Sequence, residues 1–153
     1  MKKVNGVDVE FKKLQISDDL ARSIQIGKFF SISELSSLAL IKYVYVGRVN
    51  ACRSGGCSIH HNDETDEESE YFDYFIFFDA TATVQFVKIY NYQATHGQEV
   101  TSANWLKQFK NYNGKEELVA GKNIDAISGA TISVDATTFD IELRTNTLRK
   151  IIQ

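Results

Sequence analysis

The strongest constraint on the fold is a pair of apolar, aromatic-rich runs separated by a short turn. Residues 70–78 and 83–93 have the composition of β-strands, and Asp79–Ala82 lies between them. The turn lacks glycine, but a connection of this length commonly joins adjacent antiparallel strands. The sequence therefore predicts a β-hairpin, which places an antiparallel sheet at the centre of the fold.

Shorter apolar runs in the first 50 residues add strands and one helix. Val7, Val9 and Phe11 alternate with polar residues, which is the period of a half-buried strand. Ser17 precedes two acidic residues and is a suitable N-cap for a helix that Gly27 would end. The sequence predicts strands near 7–11, 29–32 and 38–50, and a helix over 18–26.

The C-terminal third has helical periodicity. Thr101 or Ser102 can cap a helix in which Trp105 and Phe109 share a face, because residues four apart are neighbours on a helix. A polar loop is predicted over 111–123. After Thr131 one apolar stripe predicts a helix, whose threonine-rich start predicts a break near residue 137. The stripe consists of Ile141, Leu148 and Ile152. The predicted class is α+β: an antiparallel sheet packed with a few helices, the last of them C-terminal.

Length and composition favour one globular domain without a basic face. The chain has 153 residues, of which 43% are hydrophobic, and a formal net charge of −3. These values predict a single domain over 1–153, with an N-terminal part over 1–69 and a second part over 70–153. A nucleic acid partner is not expected, because such partners need a basic surface. No apolar run has the length of a membrane span and no signal peptide is recognisable. The expectation is a cytoplasmic protein or one whose export signal has been removed.

The segment 51–70 interrupts the strand pattern and is predicted to be a loop. Cys52 and Cys57 flank a glycine-containing run, and His60 and His61 follow. A disulfide is the first interpretation, buried thiols the second and a metal site the third. A disulfide would favour export, because cytosolic thiols stay reduced. The acidic run over 63–70 is interpreted as a solvated surface.

Small and hydroxylated residues cluster just before the predicted C-terminal helix. The run Ser128-Gly129-Ala130-Thr131 can bring a ligand close to the backbone, and Ser133 adds a further hydroxyl. The N–H groups and dipole of a helix N-terminus can bind a phosphate there. An ordinary helix start with a hydroxyl cap accounts for the same residues, so the physical pattern alone leaves both interpretations open.

Asp125-x-x-Ser128-Gly129-Ala130-Thr131 resembles the flavinylation motif of the FMN-binding domain family. This family includes the subunits of the Rnf and Nqr electron-transfer complexes that carry covalent FMN. The resemblance implies that Thr131 accepts FMN through a phosphoester bond, installed by a separate flavin transferase that uses FAD and Mg²⁺. It implies recognition and phosphate-site roles for the residues around it, namely Asp125, Ser128, Gly129 and Ala130, with Ile132 and Ser133 continuing the motif.

A second block also resembles the family. Thr95-His96-Gly97 is similar to its tight turn near the flavin ring, and the aromatic run over 105–109 is similar to the helix that follows. His96 stands where many relatives have proline, so it either contacts the ring or is a surface turn residue. The resemblance covers roughly 70–153.

The function implied by the resemblance is that of an extracytoplasmic FMN carrier, periplasmic in a bacterial host, that exchanges electrons with redox partner proteins, membrane-bound ones included. No second cofactor motif is present, which favours a carrier over a self-contained enzyme. The alternatives are an FMN-binding or structural module of a larger complex with little redox activity, and a small FMN-dependent reductase.

Overall fold

The computed structural model describes residues 2–4, 7–23, 26–34, 40–50 and 70–153. The strands are β1 (Lys2–Val4), β2 (Val7–Lys13), β3 (Gly27–Glu34), β4 (Tyr43–Asn50), β5 (Tyr71–Phe78) and β6 (Val84–Tyr92). The α-helices are α1 (Asp18–Ser23), α2 (Ala103–Leu106) and α3 (Thr131–Ile152). Two 3₁₀ helices, Gln98–Thr101 and Lys107–Phe109, flank α2. Within these ranges, none of the helices has the length and apolar character needed to cross a membrane.

The six strands form one antiparallel sheet in which spatial order follows chain order, β1-β2-β3-β4-β5-β6. The register brings Asn50 opposite Tyr71, so β4 and β5 pair along their whole length. Strands from before and after residue 70 therefore share one sheet. The α+β class, the antiparallel sheet and the C-terminal helix are confirmed, whereas the single-domain division stays a prediction.

The core lies between one face of this sheet and α3. On β5 the residues at even positions are buried and those at odd positions are half-buried, which is the period of a strand with one covered face. Buried side chains of the sheet and of α3 belong to one continuous cluster. The largest members from the sheet are Phe29, Tyr45, Phe72, Tyr74, Ile76 and Phe78, and those from α3 are Val134, Ile141 and Leu148.

A tyrosine ring covers two paired glycines at the centre of the sheet. Gly27 and Gly47 are opposite each other in the β3–β4 register. The fully buried ring of Tyr45 lies over both, since a Cβ added to either glycine would come 2.2 Å from its hydroxyl oxygen. The hydroxyl donates to the Ile26 carbonyl oxygen at 3.2 Å. These glycines are present because the ring takes the space of their side chains.

The β5–β6 hairpin is confirmed, and a carboxylate stabilises its turn in place of a glycine. Asp79 Oδ1 accepts hydrogen bonds from the backbone N–H groups of Thr81 (2.8 Å) and Thr83 (3.0 Å). Ala82 takes the positive φ of 59° that glycine usually occupies. Side-chain hydrogen bonds to the turn backbone therefore compensate for this unfavourable conformation.

Two predicted boundaries near the N-terminus are wrong. Helix α1 ends at Ser23 rather than at 26, and Gly27 opens β3 instead of ending the helix. Strand β4 begins at Tyr43 rather than at residue 38. Boundaries of this kind depend on pairing between strands, which the local pattern does not contain. The predictions for Cys52, Cys57, His60 and His61 fall on 51–69, outside the described residues.

The break predicted near residue 137 is also wrong, because α3 is continuous over 22 residues. Thr137 donates its hydroxyl to the Ser133 carbonyl oxygen at 2.6 Å, and Thr145 donates to that of Ile141 at 2.8 Å. Both threonines are buried. Their hydroxyls are satisfied within the helix, so packing against the sheet overrides their weak helix propensity.

Candidate functional site

The N-terminus of α3 is open to solvent. Ala130 is the N-cap, and its carbonyl oxygen accepts the Val134 N–H at 2.9 Å. Among the described residues no side chain caps this end, and the first turn contains no acidic residue. The N–H groups of the first turn and the positive end of the helix dipole are thus available to an anion. Thr131 is the first helical residue and is exposed.

A tight turn leads into this helix. The Ala130 N–H donates to the Ile127 carbonyl oxygen at 3.1 Å, and Gly129 has φ 80°. A Cβ at Gly129 would meet no described atom within 4 Å, so the glycine is required for its backbone conformation rather than for space. Ala130 is 2% exposed and packs into the core, whereas Ser128 is exposed. Among the small residues of this turn, Ala130 therefore contributes to the packing of the core.

The Thr95–Gly97 turn lies directly against the first turn of α3. Gly97 has φ 81°, and a Cβ there would come 2.5 Å from Ser133 Oγ. Ser133 Oγ lies 2.9 Å from the hydroxyl oxygen of Tyr92, and this hydroxyl donates to the His96 carbonyl oxygen at 2.5 Å. Because the single Tyr92 proton goes to a carbonyl, Ser133 is the donor in the other bond. The two blocks predicted from the resemblance are therefore in contact.

The Tyr92 hydroxyl, as a donor, and the Glu70 carboxylate, as an acceptor, fix the rest of this turn. Burial raises the pKa of Tyr92 more than its hydrogen bond with Ser133 lowers it, so the hydroxyl stays a donor at neutral pH. Glu70 accepts hydrogen bonds from the backbone N–H of Thr95, at 3.2 Å, and from its hydroxyl. The Thr95 and His96 side chains are exposed. The contact between Gly97 and Ser133 places these two side chains beside the open N-terminus of α3.

Asp125, the first residue of the motif, is held by its backbone. Trp105 Nε1–H donates to its carbonyl oxygen at 2.8 Å, and its own N–H donates to Gln108 Oε1 at 2.7 Å. The Asp125 side chain is exposed. Asp125, Ser128, Thr131 and Ile132 thus present an exposed strip, with Ile132 44% exposed.

Sequence reasoning missed several residues that build this site. Tyr92, Gln108 and Glu70 contact it through side chains from other elements. Tyr92 and Ser133 are 41 positions apart, so no local pattern links them. Only the position of Tyr92 at the end of a strand, just before the Thr95–Gly97 turn, could have indicated its role.

The site fits the phosphate end of a flavin nucleotide. An open helix N-terminus can hold the phosphate charge, and an exposed threonine hydroxyl is available at the same point. The exposed Thr131, Thr95 and His96 would border such a group, while the buried Gly97 and Ser133 hold the turn against the helix. When bound, FMN would supply one- or two-electron redox chemistry, and the protein would supply its position.

Comparison with known proteins agrees with this geometry. No curated protein sequence matches the chain. The family model described as FMN-binding domain matches residues 70–139, a range that begins at Glu70 and ends within α3. The match includes the Thr95–Gly97 turn, Asp125 and the first turn of α3, and it supports flavin binding. The matched family is the one that the motif resembles, and the match over residues 70–139 confirms that resemblance.

Proposed function

We propose that this chain is an extracytoplasmic electron carrier whose FMN is joined to Thr131 through a phosphoester bond. The observation that carries the proposal is the exposed position of Thr131 at the uncapped N-terminus of α3. There a linked phosphate would meet the N–H groups of the first helical turn, which stabilise an anion by about 0.3–1 kcal/mol when exposed. An exposed hydroxyl is also accessible to a second enzyme.

The attachment reaction would be a transfer from FAD catalysed by a flavin transferase with Mg²⁺. Thr131 Oγ forms a bond to the phosphorus of the FMN half, the pyrophosphate bond of FAD breaks, and AMP leaves. The hydroxyl proton passes to a base of the transferase. No oxidation or reduction occurs. A threonine hydroxyl is a poor nucleophile unless a base activates it, so the need for an external enzyme follows from the chemistry.

The role of carrier is supported by the exposure of the site. Thr131, Ile132, Thr95 and His96 are all exposed, so a flavin attached here would be accessible to redox partner proteins, including membrane-bound ones. The sequence contains no motif for a second cofactor. The extracytoplasmic location is supported by Cys52 and Cys57, whose pairing as a disulfide would require an oxidising compartment.

Thr131→Ala is expected to abolish flavin attachment. Intact mass of the protein co-expressed with a flavin transferase should increase by one FMN minus one water, and peptide mapping should place the addition on 131. Ser128→Ala, which removes a neighbouring exposed hydroxyl, should retain the addition. Equal masses for the wild type and Thr131→Ala would refute covalent attachment at this residue.

The carrier role is tested on the flavinylated protein. We expect dithionite to bleach the visible flavin spectrum and a quinone or a cytochrome to restore it. A flavin that cannot be reduced would favour a structural module. Steady turnover of a small substrate by the isolated protein would favour a reductase.

A further inference from the structure

The attachment segment over 125–133 is fixed at both ends by side chains from other parts of the fold. Trp105 and Gln108 bind the backbone of Asp125 at one end. Tyr92 binds Ser133 at the other. Between these points Ser128, Gly129, Thr131 and Ile132 are exposed. The segment thus exposes Ser128 and Thr131, while its two ends and Ala130 between them are held by the fold.

At Asp125, both the carbonyl oxygen and the N–H group of the backbone are bound by side chains. Trp105 supplies a donor for the Asp125 carbonyl oxygen and Gln108 supplies an acceptor for its N–H, with distances of 2.8 and 2.7 Å. Both backbone groups of one residue are therefore taken by side chains three positions apart. Their common direction follows from the helical turn that contains them, formed by α2 and the 3₁₀ helix Lys107–Phe109.

The contact with Asp125 leaves another polar group of Gln108 unpaired among the described residues. Its Nε2 is buried and has no hydrogen-bond partner among the described residues. The amide cannot exchange its two ends, because Oε1 accepts the Asp125 N–H. A leucine of similar size would avoid this unpaired N–H group but would remove the acceptor of the Asp125 N–H. The hydrogen bond to Asp125 is the only contribution of this amide that the described contacts reveal.

We propose that Gln108 and Trp105 are positioning residues that present the attachment segment to the flavin transferase in one conformation. This inference rests on the proposed function. An enzyme that must bring Thr131 Oγ in line with a phosphorus atom gains rate from a target segment that is already ordered. Both side chains act through the backbone of Asp125.

The test compares Gln108→Leu with Gln108→Glu in a reaction containing purified transferase, FAD and Mg²⁺. Gln108→Leu removes the acceptor, whereas Gln108→Glu keeps an oxygen that can accept the Asp125 N–H. We expect kcat/KM for the domain to fall about fivefold or more in Gln108→Leu, the value of one net hydrogen bond. In Gln108→Glu, kcat/KM should stay near the wild-type value. Gln153→Leu, an exposed substitution at the far end of α3, is the matched control and should react as the wild type does.

Hydrogen exchange provides a readout that does not depend on flavin. The Asp125 amide should exchange faster in Gln108→Leu than in the wild type and Gln108→Glu, while amides of β5 keep their protection. The inference is wrong if Gln108→Leu is flavinylated at the wild-type rate, or if Gln108→Glu is as slow as Gln108→Leu. If Gln108→Leu fails to fold, Trp105→Phe replaces it, because it removes the N–H donor to Asp125 together with part of a buried ring. Flavinylation of this variant at the wild-type rate would equally contradict the inference. A wild-type domain that accepts no flavin refutes the proposed function instead, and this inference falls with it.

Discussion

Asp140→Ala is expected to lower the free energy of unfolding by about 3–5 kcal/mol, because it removes the carboxylate that forms an ion pair with a buried guanidinium. Asp140 and Arg144 are 8% and 6% exposed. Arg144 donates to both carboxylate oxygens, at 2.7 and 3.2 Å, and the fully buried Tyr74 donates its hydroxyl to the same carboxylate. Urea denaturation measures the loss.

Two buried tyrosines, Tyr74 and Tyr45, lie beside the Asp140–Arg144 ion pair and affect its charges. Burial raises the pKa of Tyr74 well above its usual value, with the charge of Asp140 adding to the effect, so its hydroxyl remains a donor. Burial, the largest single influence, would lower the pKa of Arg144, but the charge and hydrogen bonds of Asp140 together with the neighbouring Tyr45 and Tyr74 raise it overall, so the guanidinium stays charged. In the alanine variant that charge would lose the Asp140 carboxylate, while the ring of Tyr45 would still lie 5.1 Å away.

Two further variants distinguish the loss of the Asp140–Arg144 ion pair from the loss of side-chain packing at residue 140. Asp140→Leu combined with Arg144→Met removes both charges and should be less destabilising than Asp140→Ala alone. Asp135→Ala, an exposed substitution on the same helix, should change stability by no more than about 0.5 kcal/mol. A double variant as unstable as Asp140→Ala would show that the ion pair is not the source of the effect.

The features that were predicted correctly depend on residues that are close together in the sequence. The β5–β6 hairpin followed from two apolar runs and a short gap, because antiparallel neighbours are joined locally. The match to the FMN-binding domain family followed from a resemblance over a few consecutive positions. Strand β1, Lys2–Val4, was not predicted, since three residues carry no periodic signal.

The features that were missed depend on contacts between distant residues. The threonine-rich start of α3 has weak local propensity, and only its burial against the sheet explains its continuity. Asp140 and Arg144 look like an exposed i,i+4 pair in the sequence, whereas the sheet buries them. Likewise, Tyr92 and Gln108 bind the site from other elements, which only the pairing of strands and helices reveals.

The second large effect is expected at Gly97, where two penalties combine. Gly97→Ala should cost about 2–4 kcal/mol of stability, because alanine is disfavoured at φ 81° and because its methyl group would overlap Ser133. The added Cβ would come 2.5 Å from Ser133 Oγ and 3.0 Å from Ser133 Cβ. Relief requires the Thr95–Gly97 turn and the first turn of α3 to separate. Flavinylation of Thr131 should therefore decrease as well.

Gly121 provides the control, because it has nearly the same φ, 79°, with no described atom within 4 Å of an added Cβ. Gly121→Ala should show the backbone penalty alone, about 1–2 kcal/mol. The difference between the two alanine variants then measures the overlap with Ser133. Adding Ser133→Ala to Gly97→Ala removes the closest atom and should recover part of this difference. If the two glycine variants lose equal stability and Gly97→Ala is flavinylated normally, the contact between the turn and α3 does not constrain the site.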